Sequence, residues 1–524
     1  MLTKKSLVRI AALSALLTLI SVTTVSAATS VDSSALRAAV TVEGVREHQA
    51  ALQAIADANG GTRAAGTPGF DASVDYVVER LTAAGYSPTV QTFPFAFFQV
   101  LAPTVLERTA PDSHAYVEST NDPDVGDFAL MDYSASGDVT ANLQVVDPLL
   151  PPVGGSTSGC DGAFTEVGDG GFGNIVPDPD GPDDFAGFTP GNIALIQRGT
   201  CTFALKATNA EAAGASGVII FNEGNTPARS NVLFGTLGGP GPLIPVVGVS
   251  FGVGTDLVGL LNAGPVEIHV TASTQSEIRE AANVIAETGG RTDRVVVVGA
   301  HLDSVMEGPG INDNGSGTAT VLELAEQIAA LGTEPRNQIR FAFWGAEEEG
   351  LLGSEYYVSQ LTTRQIKDIA VNLNFDMLGS PNGVRFVYDG DGSGTGTVGP
   401  NGSDVVEDVF LDYFGQQGQG TWPTAFDGRS DYGPFIAVGI PAGGLFSGAE
   451  GDNPEVGGTL DPCYHQACDT VDNVNETLLH ELVDGAAHAV WTFAMTTSSV
   501  NGTDKGNGNA FGQAMEFLGS LLKK

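Results

Sequence analysis

The chain has 524 residues, among them 69 glycines and 27 prolines, and carries a net charge of −39. That length exceeds one ordinary domain, so two or three are expected, and 42% hydrophobic residues are enough for packed cores. With 62 acidic against 23 basic side chains, the surface repels nucleic acid and anionic membranes, which excludes both as partners.

Lys4, Lys5 and Arg9 precede an apolar run, Ile10 to Val22, of 13 residues, and Val25-Ser26-Ala27 follows as a small-residue cleavage site. This reads as a secretory signal over residues 1–27, too short in its apolar part for a spanning helix. Its removal leaves 20 Lys and Arg against 62 Asp and Glu, a net charge of −42, in a chain secreted to the extracellular or periplasmic side with no stable membrane association. Four cysteines fit such an exported protein. Cys463 and Cys468 lie five apart around His465, and Cys160 and Cys201 fall together elsewhere. The simplest pairing joins Cys463–Cys468 and Cys160–Cys201, although four cysteines allow three connectivities.

Residues 28–134 form an N-terminal part. Residues 34–58 read as helical. The loop GGTRAAGTPGF follows, then a helix capped by Asp71 and reaching Ala84, with Val74, Val77, Val78 and Leu81 on one face and Gly85 as its stop. Strand-like residues run from Thr89 to Val100. Over residues 135–275 short apolar runs alternate with Gly/Pro-rich turns, as in NIALIQRG, GVIIFNEG and IPVVGVS, and a helix spans Phe203 to Ala213. The stretch IALIQRGTCTFALKATNAEAAGASGVIIFN resembles the core of a protease-associated (PA) domain, a β-rich insert. Arg198 and Lys206 within it read either as solvated surface or as part of a lid or substrate-length filter. The acidic run Asp178–Asp184 has a chelating look but lacks EF-hand spacing, and reads as a solvated loop.

Residues 276–498 change to strand–helix alternation. VVVVGAH, IRFAFWG, AVNLNFD, VRFVYDG and IPAGGLF are strands. Helices are expected at Thr318–Leu331, at 353–361 and at Glu476–Thr497. Continuous apolar strands separated by helices predict an α/β fold, a mostly parallel mixed sheet with helices on both faces. The tail, 499–524, is polar and Gly/Asn-rich before an amphipathic segment, Phe511 to Leu522.

Five metal-type residues stand in this half, each in a short motif: His301 in AHLDS, Asp313 in NDNGSG, Glu348 in WGAEEEG, Asp376 in NFDMLGS and His465 in CYHQACD. His301, Glu348 and Asp376 sit just past strand ends, where ligands gather in open α/β sheets. Singly, an Asp after a strand is often a helix cap, and a His a hydrogen-bonded core residue. Together, two imidazoles and three carboxylates suit two zinc-like ions sharing one carboxylate. Glu347 stays free to act as a base, and two metals with an unliganded carboxylate equip a site to hydrolyse an amide with water. Asp303, two residues after His301 on an extended segment, points the same way and can accept the proton of the second imidazole nitrogen.

These motifs, with SPN after NFDMLG and GRSDYGPF further on, resemble peptidase family M28, the zinc exopeptidase fold, and its secreted Streptomyces-type aminopeptidases. The resemblance covers roughly 280–495, with RAAGTPGF as an outlier. It implies two Zn2+ per chain: His301, Asp313 and Asp376 hold one, and Asp313, Glu348 and His465 the other. It further implies that Glu347 takes the proton of a metal-bridged water and that Tyr464 stabilises the oxyanion. Arg429, Met377 and Phe446 would contact the substrate, and the product would be the N-terminal, apolar residue of a peptide. The protein would be a monomer acting on peptides. Related enzymes bind calcium through two acidic residues of the closing helix. Here one position is His480 and the other Asp484, which leaves a calcium site there doubtful. Rival readings are a carboxypeptidase or dipeptidase of the same fold, a non-catalytic binding protein on this scaffold, and a single-zinc glutaminyl cyclase.

Overall fold

The computed structural model describes residues 31–497 and 500, apart from 120–121, 162–163, 166–174 and 177–183. The expected signal, the tail segment 511–522 and all but the last residue of the acidic run Asp178–Asp184 lie outside the described residues. No helix among the described residues is long and apolar enough to cross a membrane.

Four strands form the parallel centre of the main sheet. Ala442–Phe446, Ile369–Phe375, Arg291–His301 and Asn337–Trp344 lie side by side in that order. Their apolar runs are buried on both faces, as a covered parallel sheet requires. Alternation along Arg291–His301 divides them. Val296, Val298 and Ala300 pack under helices Gly315–Leu331 and Glu476–Met495, while Val295 and Val297 meet Trp344, Tyr357 and Phe435 on the other face. The chain leaves Arg291–His301 first for the neighbour at Asn337–Trp344 and then for the opposite neighbour, Ile369–Phe375. Arg291–His301 is therefore the switch point, beside which such sheets open a crevice at their C-terminal ends.

A second, smaller sheet runs Gly137–Val146, Ile193–Gln197, Gly217–Phe221, Val246–Val249 and Phe128–Leu130. The first four are parallel and the last antiparallel. The helices Phe203–Ala212 and Phe251–Ala263 pack against it. The two sheets are joined by a long antiparallel ribbon. Thr89–Ala110 pairs with Glu267–Glu287 from Thr89 opposite Ile285 to Ala110 opposite Glu267, with register shifts between Val100 and Val105 and near Ala110. The free edge of Glu267–Glu287 pairs first with Gly137–Val146 and then, at Val284–Glu287, with Asn337–Trp344. One strand thus belongs to both lobes, and residue 275, the expected end of the insert, lies in its middle.

Several local expectations are corrected. The helix assigned to Asp71 starts at Pro68, with Thr67 as its cap, because proline is pre-shaped for the first helical position and threonine can accept from Phe70 N. The helix expected from Thr318 begins at Gly315, where Asn314 caps Gly317 N at 2.9 Å. Helix Ser403–Gln417 was not expected, although Val406, Phe410, Tyr413 and Phe414 keep helical spacing and all four are buried. Lys206 is neither surface nor filter. It is fully buried, and its amine donates to Ser158 O beside the Cys160–Cys201 disulfide.

Candidate metal centre

His301 ends its strand, and the next turn of chain must bring Asp313 back beside it. Arg63 makes that turn possible. Fully buried, it donates to the carbonyls of Pro309 at 2.8 Å and Gly310 at 2.7 Å, and also to Leu302 O. Burial pushes its guanidinium down to about 10, opposed by Asp303, Asp469, Asp313 and Glu348, so it stays charged at neutral pH. From the other side, Asp469 accepts from Asn312 N at 2.8 Å and Asp313 N at 2.9 Å. Asp469 follows Cys468, whose disulfide to Cys463 closes the His465 loop with a Cα–Cα distance of 5.3 Å. The Asp313 and His465 loops are therefore one hydrogen-bonded unit.

The five residues converge. His301 Nε2 lies 3.2 Å from Asp313 Oδ1 and 3.3 Å from Asp376 Oδ1. His465 Nε2 lies 3.3 Å from Asp313 Oδ2 and 3.2 Å from Glu348 Oε2. Asp313 turns one oxygen to each imidazole. Burial alone would raise the Asp313 carboxyl and lower both imidazoles. Pairing overrides it, holding Asp313 below its ordinary range, His301 well above and His465 up to about 10. The cluster thus demands positive charge. His301 Nε2, Asp313 Oδ2, Asp376 Oδ1 and His465 Nε2 are buried with no hydrogen-bond partner among the described residues. Buried polar atoms are rarely left so, and nitrogen and carboxylate donors in three overlapping triads, two of which share Asp313 and the third of which joins His301, Glu347 and Glu348, fit cations of the zinc class.

Surrounding groups orient this set. Ser430 donates to Asp376 Oδ2 at 2.6 Å and accepts from Asn374 at 2.8 Å. Asp303 is placed differently from expectation. Its Oδ1 is 3.6 Å from His301 Nδ1, too far for a hydrogen bond. It accepts instead from the backbone of Glu347 and Glu348, each at 3.2 Å, and so fixes the turn that carries those two side chains. Glu347 is fully buried, with Oε2 3.8 Å from His301 Nε2. Ala346, Met377 and His465 adopt left-handed φ of 55°, 53° and 57°, a strained conformation for non-glycine residues that gathers at sites the surrounding structure over-determines.

A cavity of roughly 260 Å³ opens beside Asp313 and Asp376, walled by Met377, Phe386, Phe446 and Leu460, with Tyr464 and Arg429 at its rim. The Tyr464 ring stacks on His465 at 3.8 Å, and its hydroxyl accepts from Arg429 Nη2 at 3.1 Å. Arg429 Nη1 also donates to Glu450 at 2.7 Å. Met377, Arg429, Phe446 and Tyr464 therefore line the same cavity as Asp313 and Asp376. Arg63, Asp469 and Ser430 were missed as contributors, though Arg63 and Ser430 stand in the motifs RAAGTPGF and GRSD and Asp469 directly follows CYHQAC. Away from it, Asp484 pairs with Arg37 at 2.9 Å, a cation already in place at the doubtful calcium position.

Residues 283–490 match Peptidase family M28, and residues 141–257 match the PA domain. An aminopeptidase of Pseudomonas aeruginosa is 44% identical over 463 residues, 86% of this chain and 80% of its own length. A probable lipoprotein aminopeptidase of Mycobacterium tuberculosis is 41% identical over 489 residues, 89% of this chain and 88% of its own. Among solved structures, an aminopeptidase from Aneurinibacillus superposes with a TM-score of 0.58 at 27% identity, covering 88% of this chain and 95% of that one. A zinc aminopeptidase from Bacillus subtilis gives 0.54 at 26%, covering 86% and 95%.

Proposed function

The chain belongs to peptidase family M28 and is an aminopeptidase, and from that premise we propose that it is an exported enzyme that removes an apolar N-terminal residue from peptides with the help of two zinc ions. The observation that carries this reading is Asp313, whose two oxygens face His301 and His465 separately. In this reading His301, Asp313 and Asp376 hold one ion, and Asp313, Glu348 and His465 the other. When bound, such a pair supplies Lewis acidity that polarises a carbonyl and brings the pKa of water near 7.

The chain's own side chains do the rest. Glu347, buried and assigned to neither ion, takes the proton of the attacking water and returns it to the leaving amine. The Tyr464 hydroxyl, held by Arg429, donates to the carbonyl oxygen as it becomes an oxyanion. Met377 and Phe446 line the cavity wall that receives the apolar side chain, and the carboxylates around it attract the cationic α-amine. Because the Arg429 guanidinium is already engaged by Glu450, it is poorly suited to hold a substrate C-terminal carboxylate, which disfavours the carboxypeptidase reading. Two disulfides support export, since they persist in oxidising compartments.

The test pairs leucine p-nitroanilide with its N-acetyl derivative and counts metal by mass spectrometry. Expected are about two zinc ions per chain, loss of activity on chelation with recovery on zinc, and no cleavage of the acetylated substrate. Full activity after exhaustive metal removal would overturn the mechanism. Equal cleavage of both substrates would overturn the aminopeptidase specificity.

A further inference from the structure

A second cluster of acidic groups lies outside the catalytic machinery. After the strand Phe386–Tyr388 the chain reads DGDGSGTGTVG, and no basic residue occurs between Arg385 and Arg429, against seven acidic ones. Asp389, Asp391 and Glu407 each bring a carboxylate oxygen within 4.8 Å of the others. Asp389 is fully buried, and Glu407, from helix Ser403–Gln417, nearly so. One side of each buried carboxylate is satisfied. Asp389 Oδ2 accepts from Gly394 N at 2.9 Å, Thr395 N at 2.6 Å and Thr395 Oγ1 at 2.7 Å. Glu407 Oε2 accepts from Gly390 N at 2.9 Å and Asp391 N at 3.3 Å. The other Asp389 oxygen, Oδ1, is buried with no hydrogen-bond partner among the described residues.

Two of these carboxylates are buried beside the third with only backbone and hydroxyl donors to offset them, and a buried charge without a counter-charge is costly. The geometry points to a calcium site formed by Asp389, Asp391 and Glu407. Oxygens that share one ion at about 2.4 Å lie no more than about 4.8 Å apart, so three oxygens within that limit of one another can reach a single calcium ion. All three side-chain donors are oxygens, which suits a hard cation and not a zinc-class ion. The loop also braces the catalytic cavity. Asp389 N donates to Thr424 O at 2.9 Å, and the preceding Tyr388 stacks on Phe426 at 5.2 Å. Phe386, Tyr388 and Thr424 line that cavity. A bound ion would therefore stiffen one wall of the substrate pocket.

The experiment compares the zinc-loaded enzyme in calcium-depleted buffer with the same enzyme given calcium, by thermal melting. Terbium luminescence excited through Tyr388 reports occupancy directly. D389N and E407Q remove charge while keeping the acceptors that Gly394, Thr395 and Gly390 use. D391N alters a side chain that is already exposed. Calcium should raise Tm and displace terbium in the native enzyme. D389N and E407Q should lose both responses, and D391N should weaken calcium by roughly tenfold, since affinity follows ligand charge. If D389N or E407Q fails to fold, D391N decides alone. The assignment is overturned if calcium leaves the native Tm unchanged, if equimolar magnesium acts equally well, or if D391N binds calcium as tightly as the native chain.

Discussion

Arg63 offers the most direct test of how the metal centre is assembled. Replacing it by methionine keeps most of its volume, so little of the effect can come from a cavity. What disappears is a guanidinium that serves the carbonyls of Leu302, Pro309 and Gly310 and faces Asp303, Asp469 and Asp313. Three buried carbonyls left without a donor cost about 1 kcal/mol each at the least. Removing one side of a buried charged network typically costs about 3–5 kcal/mol, which agrees with that floor. Lysine retains charge but not the fork, and a single ammonium cannot reach three divergent carbonyls, so R63K should recover only part of the loss. Urea unfolding followed by tryptophan fluorescence reads the core directly, because Trp344 and Trp491 are both buried in the catalytic lobe. R63M should unfold about 3–5 kcal/mol more easily and R63K should fall between it and the native enzyme. Turnover of leucine p-nitroanilide should drop in the same order, because the loop that carries Asp313 loses its anchor. An R63M enzyme within about 0.5 kcal/mol of native stability and with undiminished kcat would refute the argument, since that is the range of an ordinary surface change.

Two further outcomes separate roles that the geometry assigns to neighbours. E347Q should keep its metal and lose at least ~10²-fold in kcat, the scale of a general base, whereas E348Q should lose metal, as read by mass spectrometry. The opposite pattern would mean that the two glutamates have been exchanged. In the smaller lobe, burial pushes the Lys206 amine down to about 7, with Asp184 and Glu223 opposing. An unfolded lysine keeps its proton to about 10.4. Between these values the unfolded chain holds the extra proton, so stability rises with pH, and below pH 7 the contribution is flat and unfavourable. The melting temperature of the native protein relative to K206M should therefore climb from pH 7 to 10. A constant difference over that range would contradict it.

The residues that carry the chemistry were readable because each stands in a short motif at the end of a strand, and strand ends are set by local apolar runs. Their supports were not, for a physical reason. Arg63 lies some 240 residues from the carbonyls it binds, and nothing in its neighbours marks it as buried. Asp303 looked like a partner for His301 because alternation along a strand puts them on one side. The turn at Glu347 and Glu348 competes for the same carboxylate and holds it. The strand shared by the two lobes was hidden by its own middle, SEIRE, which is polar and partly exposed and so resembles a boundary between domains. Helix Ser403–Gln417, and with it the third carboxylate of the calcium site, was legible in its apolar spacing but masked by the acidic residues between.

The long ribbon bears on how the smaller lobe could have been acquired. Below Val100 the pairing of Thr89–Ala110 with Glu267–Glu287 is regular, and it needs from the chain beyond only that the two strands return together. A plain hairpin turn at that level would satisfy the catalytic sheet equally well, so the lobe is an addition at a hairpin tip, where an insertion is cheapest in conformational entropy. The irregular register between Val100 and Val105 sits at the root of the addition. Bulges bend and twist strands. Gaining or losing one residue there would swing the whole lobe relative to the pocket without touching a single side chain of the metal centre. The placement of the lobe can therefore drift under selection separately from the chemistry of the metal centre.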